Sequence, residues 1–291
     1  MDINYELYKV FYHVANTLSF SEASKQLFIS QSAVSQSIKV LEKKLNQPLF
    51  IRSTKRVQLT PEGEILLKHI EPAMNLIRQG ENQLLEANTL NGGQLRIGAS
   101  DTICRYYLVS YLKDFHRRYP NVHIKVTNQT SIACAKLLES GQVDFAITNY
   151  PNSGLSNTQN VRIIREFKDV FVANDEYKEL MGKTISLKDL KRFPILMLDR
   201  KSTTSEFLHS MFQRHQLDLV PEIELSSNDL LIDLARIGLG VAFVPDYCIP
   251  DNERSLFKVQ IEEELPTRQI VVASNDSLPI SQAAKQFMEM L

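Results

Sequence analysis

The first 45 residues carry apolar side chains at steps of three and four, the spacing that places them on one face of a helix. The apolar face of the first predicted helix consists of Leu7, Val10, Phe11, Val14 and Ala15. Ser21 is suited to cap a second helix that ends at Leu27, and Ser30 is suited to cap a third that begins at Gln31. The buried stripe of the third helix consists of Val34, Ile38, Leu41 and Leu45. The pattern predicts a small three-helix unit with a tight turn at residues 28–30.

The opposite face of the third helix is polar and consists of Gln31, Ser32, Ser35, Gln36 and Lys39. Short hydroxyls and amides approach base edges in a DNA major groove without clashing, and glutamine pairs with adenine through two hydrogen bonds. The start of the second helix of a helix-turn-helix is where this motif contacts DNA. The solvent face of an ordinary helical bundle would have a similar composition, so the interpretation depends on the residues that follow.

A short hairpin is predicted after Pro48, because two runs of alternating residues flank residues 53–55. Arg52, Lys55 and Arg56 lie on this hairpin, where a basic wing contacts phosphates or the minor groove. Residues 1–60 hold eight Lys/Arg and four Asp/Glu, although the whole chain has a net charge of −1. A local basic excess on a near-neutral chain indicates one nucleic-acid-binding module.

A long helix is expected next, since Thr60 is a favourable cap and Pro61 a favourable first residue. The helix is predicted to run to about residue 87, with Ile70, Ile77 and Leu84 seven residues apart. A seven-residue apolar repeat favours pairing with a second copy, while packing against the same chain is the alternative. Residues 91–93, Asn-Gly-Gly, are expected to end the helix and form a hinge.

From Gln94 onward short apolar strands alternate with helices, which favours parallel α/β units. Strands are predicted at 95–100, 123–128, 143–148, 162–173, 194–198, 222–225, 238–245 and 268–274. Two lobes joined by crossing strands would leave a cleft at the carboxyl ends of the strands, where ligands bind in open α/β sheets.

The predicted organisation has three parts: a DNA-binding domain over residues 1–60, a linker helix and hinge over 61–91, and a two-lobed domain over 92–291. Lobe 1 is expected to comprise about 92–161 and 268–291, and lobe 2 about 162–267.

Composition restricts the function classes. Hydrophobic residues make up 43% and charged residues 23%, as in an ordinary soluble protein, and no apolar run approaches the roughly 20 residues of a membrane span. The N-terminus has no apolar signal core, and three cysteines cannot form a disulfide framework, so we expect a cytoplasmic protein without a membrane partner. The chain has no Gly-rich phosphate loop, nucleophile elbow, zinc-protease helix motif or Cys-x-x-Cys, so we expect neither catalysis nor a cofactor or metal.

Residues 1 to about 90 resemble the DNA-binding part of LysR-type transcriptional regulators. The matching stretches are residues 19–24, 30–35, 41–42, 49–52 and 59–63. The family often has Pro where this chain has Ser32, a change that leaves the helix start intact because Ser also suits a first turn. Residues 95–100, 115–120, 141–147 and 238–245 are similar to the effector-binding domain of the same family.

The resemblance implies an N-terminal all-α winged helix-turn-helix with a long linker helix, followed by an α/β two-lobed effector domain like a periplasmic binding protein. It also implies an antiparallel dimer of linker helices, within a homodimer or homotetramer. The implied partners are double-stranded promoter DNA, a small-molecule effector and RNA polymerase.

Regulators of this family contact their effectors from loops at strand ends, and the matching residues here are Ser100, Thr102, Thr130, Asn149 and Thr203. Small hydrogen-bond donors beside helix N-termini favour a carboxylate or another small anion. Asp101 would instead attract an ammonium, which indicates an amino-acid-like effector. Each of these residues is equally suited to be only a helix cap.

Two alternatives remain at this point. Cys104 and Cys134 each fall near a predicted helix start, which lowers a thiol pKa, so the regulator would sense oxidants; burial as small apolar side chains is the simpler interpretation. An enzyme built on the two-lobed domain would need a nucleophile or an acid–base pair in the cleft.

Overall fold

The computed structural model describes residues 3–52, 56–87, 93–156 and 159–291. The chain divides into two compact units, and we call residues 1–88 with 140–142 unit 1 and residues 89–139 with 143–291 unit 2.

Unit 1 begins with three helices, α1 Tyr5–Thr17, α2 Phe20–Leu27 and α3 Gln31–Leu45. The Ser30 hydroxyl caps α3 as predicted, accepting a hydrogen bond from Ala33 N at 3.2 Å. The predicted cap of α2 is wrong, because Ser19 rather than Ser21 accepts from Glu22 N at 3.2 Å. The helix starts earlier because Phe20 forms its first residue and packs against the unit 1 core.

All three helices end in a left-handed residue, with φ of 47° at Leu18, 56° at Phe28 and 53° at Asn46. Asn adopts this conformation readily, whereas Leu and Phe pay a steric cost for it. The Phe28 side chain is 94% exposed, so packing does not offset that cost. The turn between α2 and α3 is therefore tight and strained.

The core of unit 1 is formed by side chains that the helical periodicity predicts. Its fully buried members on the three helices are Phe11, Val14, Ala23, Val34, Ile38 and Leu41. Fully burying one such aliphatic or aromatic side chain contributes about 1.5–3 kcal/mol. This core fixes which face of α3 remains exposed.

The predicted hairpin and long helix are both present, as β1 Phe50–Arg52, β2 Val57–Leu59 and α4 Pro61–Ala87. Thr60 Oγ1 accepts from Gly63 N at 3.0 Å and donates to the Pro48 carbonyl at 2.7 Å, so it joins the hairpin to the start of α4. A Cβ at Gly63 would collide with the Leu49 carbonyl oxygen, which explains the glycine at this position.

The apolar stripe predicted on α4 has two different environments. Ile70 packs against the unit 1 core, whereas Ile77 is 46% exposed and Leu84 is 72% exposed. Ile65 and Leu76 are exposed on the same helix. The stripe therefore packs against the core of unit 1 at Ile70 and is exposed at Ile77 and Leu84.

Unit 2 alternates strands and short helices. In chain order it contains β3 Gly93–Ala99, α5 Asp101–Ile103, α6 Val109–Arg118, β4 Val122–Asn128, α7 Ser131–Glu139, β5 Phe145–Tyr150, β6 Gln159–Phe167, β7 Asp169–Ala173, β8 Thr184–Ile185, α8 Leu187–Leu190, β9 Ile195–Leu198, α9 Thr203–Arg214, β10 Ile223–Leu225, α10 Asn228–Arg236, β11 Val241–Pro245, β12 Phe257–Ile261, β13 Arg268–Asn275 and α11 Gln282–Met290. A π-helical turn, Cys104–Leu108, joins α5 to α6.

The strands of unit 2 form two sheets, which define its two lobes. The lobe 1 sheet has the order β4-β3-β5-β13-β6, and the lobe 2 sheet has the order β10-β9-β11-β7-β12-β8. Strand β13 lies antiparallel between β5 and β6, so the end of the chain completes lobe 1. Each sheet is covered by helices over buried apolar side chains.

The boundary between the lobes differs from the sequence prediction. Residues 162–173 were expected to form one strand that opens lobe 2, but β6 pairs with β13 in lobe 1 and β7 pairs with β11 in lobe 2. The chain crosses between the lobes at Lys168. No Gly or Pro marks this point, so the run of strand-forming residues conceals the break.

No helix among the described residues is both long and apolar enough to cross a membrane.

Candidate functional site

The polar face predicted on α3 lies on the surface of unit 1. Gln31, Ser32, Gln36 and Lys39 are exposed, and Ser35 is half-buried. The Ser32 hydroxyl lies 2.9 Å from the capping hydroxyl of Ser30. The buried stripe of α3 lies on the other side, so these side chains are held on a fixed backbone with their polar ends in solvent.

Arg52 lies against the protein rather than projecting from the hairpin. Its Nη1 donates to Ser35 Oγ and its Nη2 donates to Glu42 Oε2, each at 3.2 Å. Its guanidinium carbon lies 4.7 Å from the centre of the Phe20 ring. The side chain is 33% exposed, so part of the guanidinium remains available to a phosphate. Arg56 is exposed, and Lys55 lies outside the described residues.

Glu42 connects α3 to the hairpin, a role that the sequence reading missed. Its Oε1 accepts from Leu49 N at 2.9 Å and from Phe50 N at 3.3 Å, while its Oε2 accepts from Arg52. The carboxylate therefore holds two backbone donors and one cation of the hairpin. The sequence signal was present only as a Leu-Glu pair inside the α3 stripe, which does not reveal a partner seven residues away.

Unit 2 contains a cavity of about 260 Å³ between its two lobes. Its lining consists of Ser100, Asp101, Thr102, Asn128, Gln129, Thr130, Ser131, Asn149, Leu198, Asp199, Ser202, Thr203, Thr204, Ser226 and Asn228. All five residues matched to the effector contacts are among them. Leu198 is the one apolar residue among the described lining residues, and residues at the starts of α7, α9 and α10 contribute to the lining.

Several of these polar groups already have partners in the protein. Ser100 Oγ accepts from Ile103 N and Thr130 Oγ1 accepts from Ala133 N, both at 3.3 Å, so both residues are helix caps as well as lining residues. Thr102 Oγ1 accepts from Asn228 Nδ2 at 2.9 Å, a bond that spans the two lobes. The Asn149 side-chain oxygen is buried and has no hydrogen-bond partner among the described residues.

A buried arginine beneath the cleft was not anticipated from the sequence. Arg268 is 1% exposed, and its Nη1 lies 2.7 Å from Asp169 Oδ2. It also donates to Thr203 and Thr204 at 3.1 Å each. Thr203 therefore accepts from a cation on one side while it lines the cleft on the other.

Two further hydrogen bonds join the lobes directly. Tyr106, on the π-helical turn, donates to Asp229 at 2.6 Å, and burial raises the pKa of its hydroxyl, with the hydrogen bond to Asp229 contributing. Ser153 of lobe 1 donates to Glu206 of lobe 2 at 3.0 Å. These contacts join the lobes through residues outside the cavity lining.

The cysteines lie in environments that suppress thiolate formation. Burial raises the pKa of Cys104 to about 11, with Asp101 adding to the effect. Burial also raises the pKa of Cys134 to about 12. Among the described residues no group of His, Cys, Asp and Glu is arranged to hold a metal ion.

Two family models match the chain. "Bacterial regulatory helix-turn-helix protein, lysR family" matches residues 5–64, and "LysR substrate binding domain" matches residues 88–291. A "Probable RuBisCO transcriptional regulator" of Gracilaria tenuistipitata var. liui is 30% identical over 276 residues, which cover 92% of this chain and 89% of that protein.

Several solved structures share the fold of this chain. Full-length CbnR complexed with target DNA has a TM-score of 0.65 at 18% identity, covering 99% of this chain and 98% of that one. A full-length OxyR variant from Pseudomonas aeruginosa has a TM-score of 0.71 at 17% identity, covering 99% and 94%. The CcmR regulatory domain of Synechocystis PCC6803 in complex with 2-PG has a TM-score of 0.62 at 19% identity, covering 68% and 95%. The chain belongs to the LysR family of DNA-binding transcriptional regulators, with an N-terminal helix-turn-helix domain and a C-terminal effector-binding domain.

Proposed function

We propose that this regulator binds a specific DNA site through α3 and that a small molecule held between the lobes of unit 2 controls that binding. The observation that carries the proposal is the cavity, which brings Ser100, Thr102, Thr130, Asn149 and Thr203 together from both lobes. A ligand that contacts both lobes changes the equilibrium between open and closed arrangements by its difference in affinity for them.

The reading surface in this proposal consists of Gln31, Ser32, Ser35 and Gln36, which enter the major groove with the start of α3. Lys39, Arg52, Lys55 and Arg56 contact phosphates or the minor groove beside it. Because Arg52 also holds Ser35 and Glu42, its loss would affect the position of the hairpin as well as the charge.

The effector is a small anionic or amino-acid-like molecule. Helix N-termini at the cleft offer backbone N–H groups to a carboxylate or another anion. The complex of the related CcmR regulatory domain with 2-PG supports a small molecule as the ligand.

The protein acts as a homodimer or homotetramer and contacts RNA polymerase at its promoters. Exposed Ile65, Leu76 and Ile77 on α4 support pairing with the same helix of a second copy. Effector-driven closure of the lobes would then alter the spacing of two DNA-binding heads and the bend of the DNA. An effector that changed neither the footprint nor the bend angle would contradict this mechanism.

The redox alternative has weaker support. A reactive cysteine has a lowered pKa, whereas burial raises the pKa of both Cys104 and Cys134. The enzyme alternative is not retained, because the matching family and its relatives are transcriptional regulators.

The reading surface is tested by selecting a binding site from random double-stranded DNA with the full-length protein. Gln31→Ala is expected to lose about 1–3 kcal/mol of discrimination between the selected site and a random duplex. Lys39→Ala is expected to weaken binding to both and to reduce the slope of log affinity against log salt by about 1. Gln47→Ala, an exposed glutamine beyond the end of α3, is the matched control. Equal losses on both duplexes for Gln31→Ala would contradict the assignment.

A further inference from the structure

We infer that the effector carries a protonated amine together with its carboxylate, as an amino acid does. This rests on the proposed function, because it specifies the ligand of the cleft between the lobes. It decides between the two effector classes left open above.

The first observation is the charge of the lining. Asp101 contributes a carboxylate from lobe 1 and Asp199 contributes one from lobe 2. No Lys, Arg or His is among the described residues that line the cavity. Neither carboxylate has an ion-pair partner within the described parts of the chain; Asp101 accepts from Asn128 at 3.4 Å and Asp199 from Lys201 N at 3.0 Å. A ligand with only negative charge would face two carboxylates and no cationic side chain.

The second observation is independent of charge. Asn149 and Asn228 line the cavity and are 8% and 4% exposed. Each has a buried side-chain oxygen that finds no hydrogen-bond partner in the part of the chain that the structure describes. The Nδ2 of Asn228 is already committed to Thr102, which fixes that amide with its oxygen as the remaining group. A buried acceptor without a partner is costly, so a ligand group that donates hydrogen bonds is favoured beside these two oxygens. An ammonium offers three donors and no acceptor.

The nearest buried cation does not reverse this conclusion. The Arg268 guanidinium lies behind Thr203, and its charge is compensated by Asp169 at 2.7 Å. Positive potential at the cleft therefore comes from the starts of α7, α9 and α10, which suit one carboxylate. The lining thus offers a partner to both groups of an amino acid: backbone N–H groups at the helix starts for the carboxylate, and Asp101, Asp199 and the asparagine oxygens for the ammonium.

The test uses the full-length protein and matched ligand pairs. Each standard amino acid is compared by calorimetry with the α-hydroxy acid of the same side chain, and inorganic phosphate and 2-PG are added as probes without an amine. At least one amino acid is expected to bind, and its hydroxy acid at least about tenfold more weakly, because a charge-assisted hydrogen bond is lost. Asp101→Asn and Asp199→Asn are expected to remove most of that preference, while Asp218→Asn, an exposed acid outside the cavity, keeps it.

Two outcomes would overturn the inference. One is phosphate, 2-PG or a hydroxy acid binding as well as or better than every amino acid; the effector would then be an anion, and the proposed control by a cleft ligand would stand. The other is that no amino acid binds at all. The proposed function fails separately, if no small molecule that binds the cleft alters the DNA footprint.

Discussion

The buried pair of Arg268 and Asp169 allows a quantitative test of how unit 2 is held together. Both side chains are almost completely buried, at 1% and 0% exposure, and they lie where the chain crosses between the lobes. The guanidinium lies between the rings of Phe167 and Phe207, 5.3 and 5.0 Å from their centres. Within the described ranges, Asp169 Oδ1 and Arg268 Nε have no hydrogen-bond partner, so the Asp169 carboxylate depends on Arg268 for its charge compensation.

Arg268→Met would leave the Asp169 carboxylate buried without a counter-charge. Removing one partner of such a pair costs about 3–5 kcal/mol. For a domain the size of unit 2, at roughly 2–4 °C for each kcal/mol, the unfolding temperature should fall by about 6–20 °C. The double variant Arg268→Met/Asp169→Leu removes both charges and should recover most of the loss.

The assay is differential scanning calorimetry of the full-length chain, which contains no Trp for fluorescence. Arg192→Met is the control, because the Arg192–Asp189 pair is exposed and should contribute less than about 1 kcal/mol. Losses that simply add in the double variant, or a single-variant loss no larger than the control, would refute the reasoning.

The pH dependence of the same variant adds a second readout. Burial raises the pKa of Asp169 above its unfolded value, and Arg268 opposes that shift. Without the arginine the folded carboxyl retains its proton to higher pH, so the deficit should be small near pH 4 and grow as pH rises. A deficit that is constant across this range would show that lost packing, not the buried charge, is responsible.

Three further predictions concern single side chains. Glu42→Ala should destabilise unit 1 by about 2–4 kcal/mol in thermal unfolding, because two backbone donors of the hairpin lose their acceptor. A loss of stability smaller than that of Glu62→Ala, at an exposed position, would contradict this prediction. Phe28→Gly should raise the unfolding temperature of unit 1. The left-handed backbone conformation costs a non-glycine residue about 1–2 kcal/mol, which exceeds the conformational entropy cost of glycine, about 0.5–1 kcal/mol. A lower unfolding temperature would show that the exposed Phe28 ring stabilises the unit. Burial lowers the pKa of His209, so the unfolded chain binds a proton at higher pH than the folded chain does. The free energy of unfolding should therefore decline as pH falls below 6.5, and His209→Gln should flatten that decline. An unchanged pH profile in the variant would show that His209 is not responsible for the decline.

The features that could be predicted from the sequence depend on helical periodicity, on helix capping or on the family resemblance. The α3 boundaries, the start of α4 at Pro61 and the five cleft residues all follow from periodicity, cap chemistry or the family resemblance. These features are local, or they lie at strand ends that the fold brings together. A sequence pattern or a match to the family is therefore enough to locate them.

Features that depend on a distant partner were not visible in the sequence. The break at Lys168 is hidden because β6 and β7 are both strand-forming, and only their pairing with different sheets separates them. The position of Arg52 on a basic hairpin predicts a contact with phosphate. Its contacts with Glu42 and Phe20 could not be predicted, because these residues come close to Arg52 only in the folded unit. Arg268 opens β13, whereas its partner Asp169 lies 99 residues earlier.

The insertion of β13 between β5 and β6 means that the lobe 1 sheet is completed only after the last part of the chain has been synthesised. Among the described strands, β6 pairs with β13 alone. The roughly 100 intervening residues take about 5–20 s to synthesise at about 5–20 residues per second. During that interval the helix-turn-helix and its hairpin are already on the finished part of the chain, while lobe 1 lacks an interior strand and exposes the β6 edge. A product that terminates before Arg268 would contain the helix-turn-helix and every residue that lines the cavity, but its lobe 1 sheet would lack the strand that joins β5 to β6.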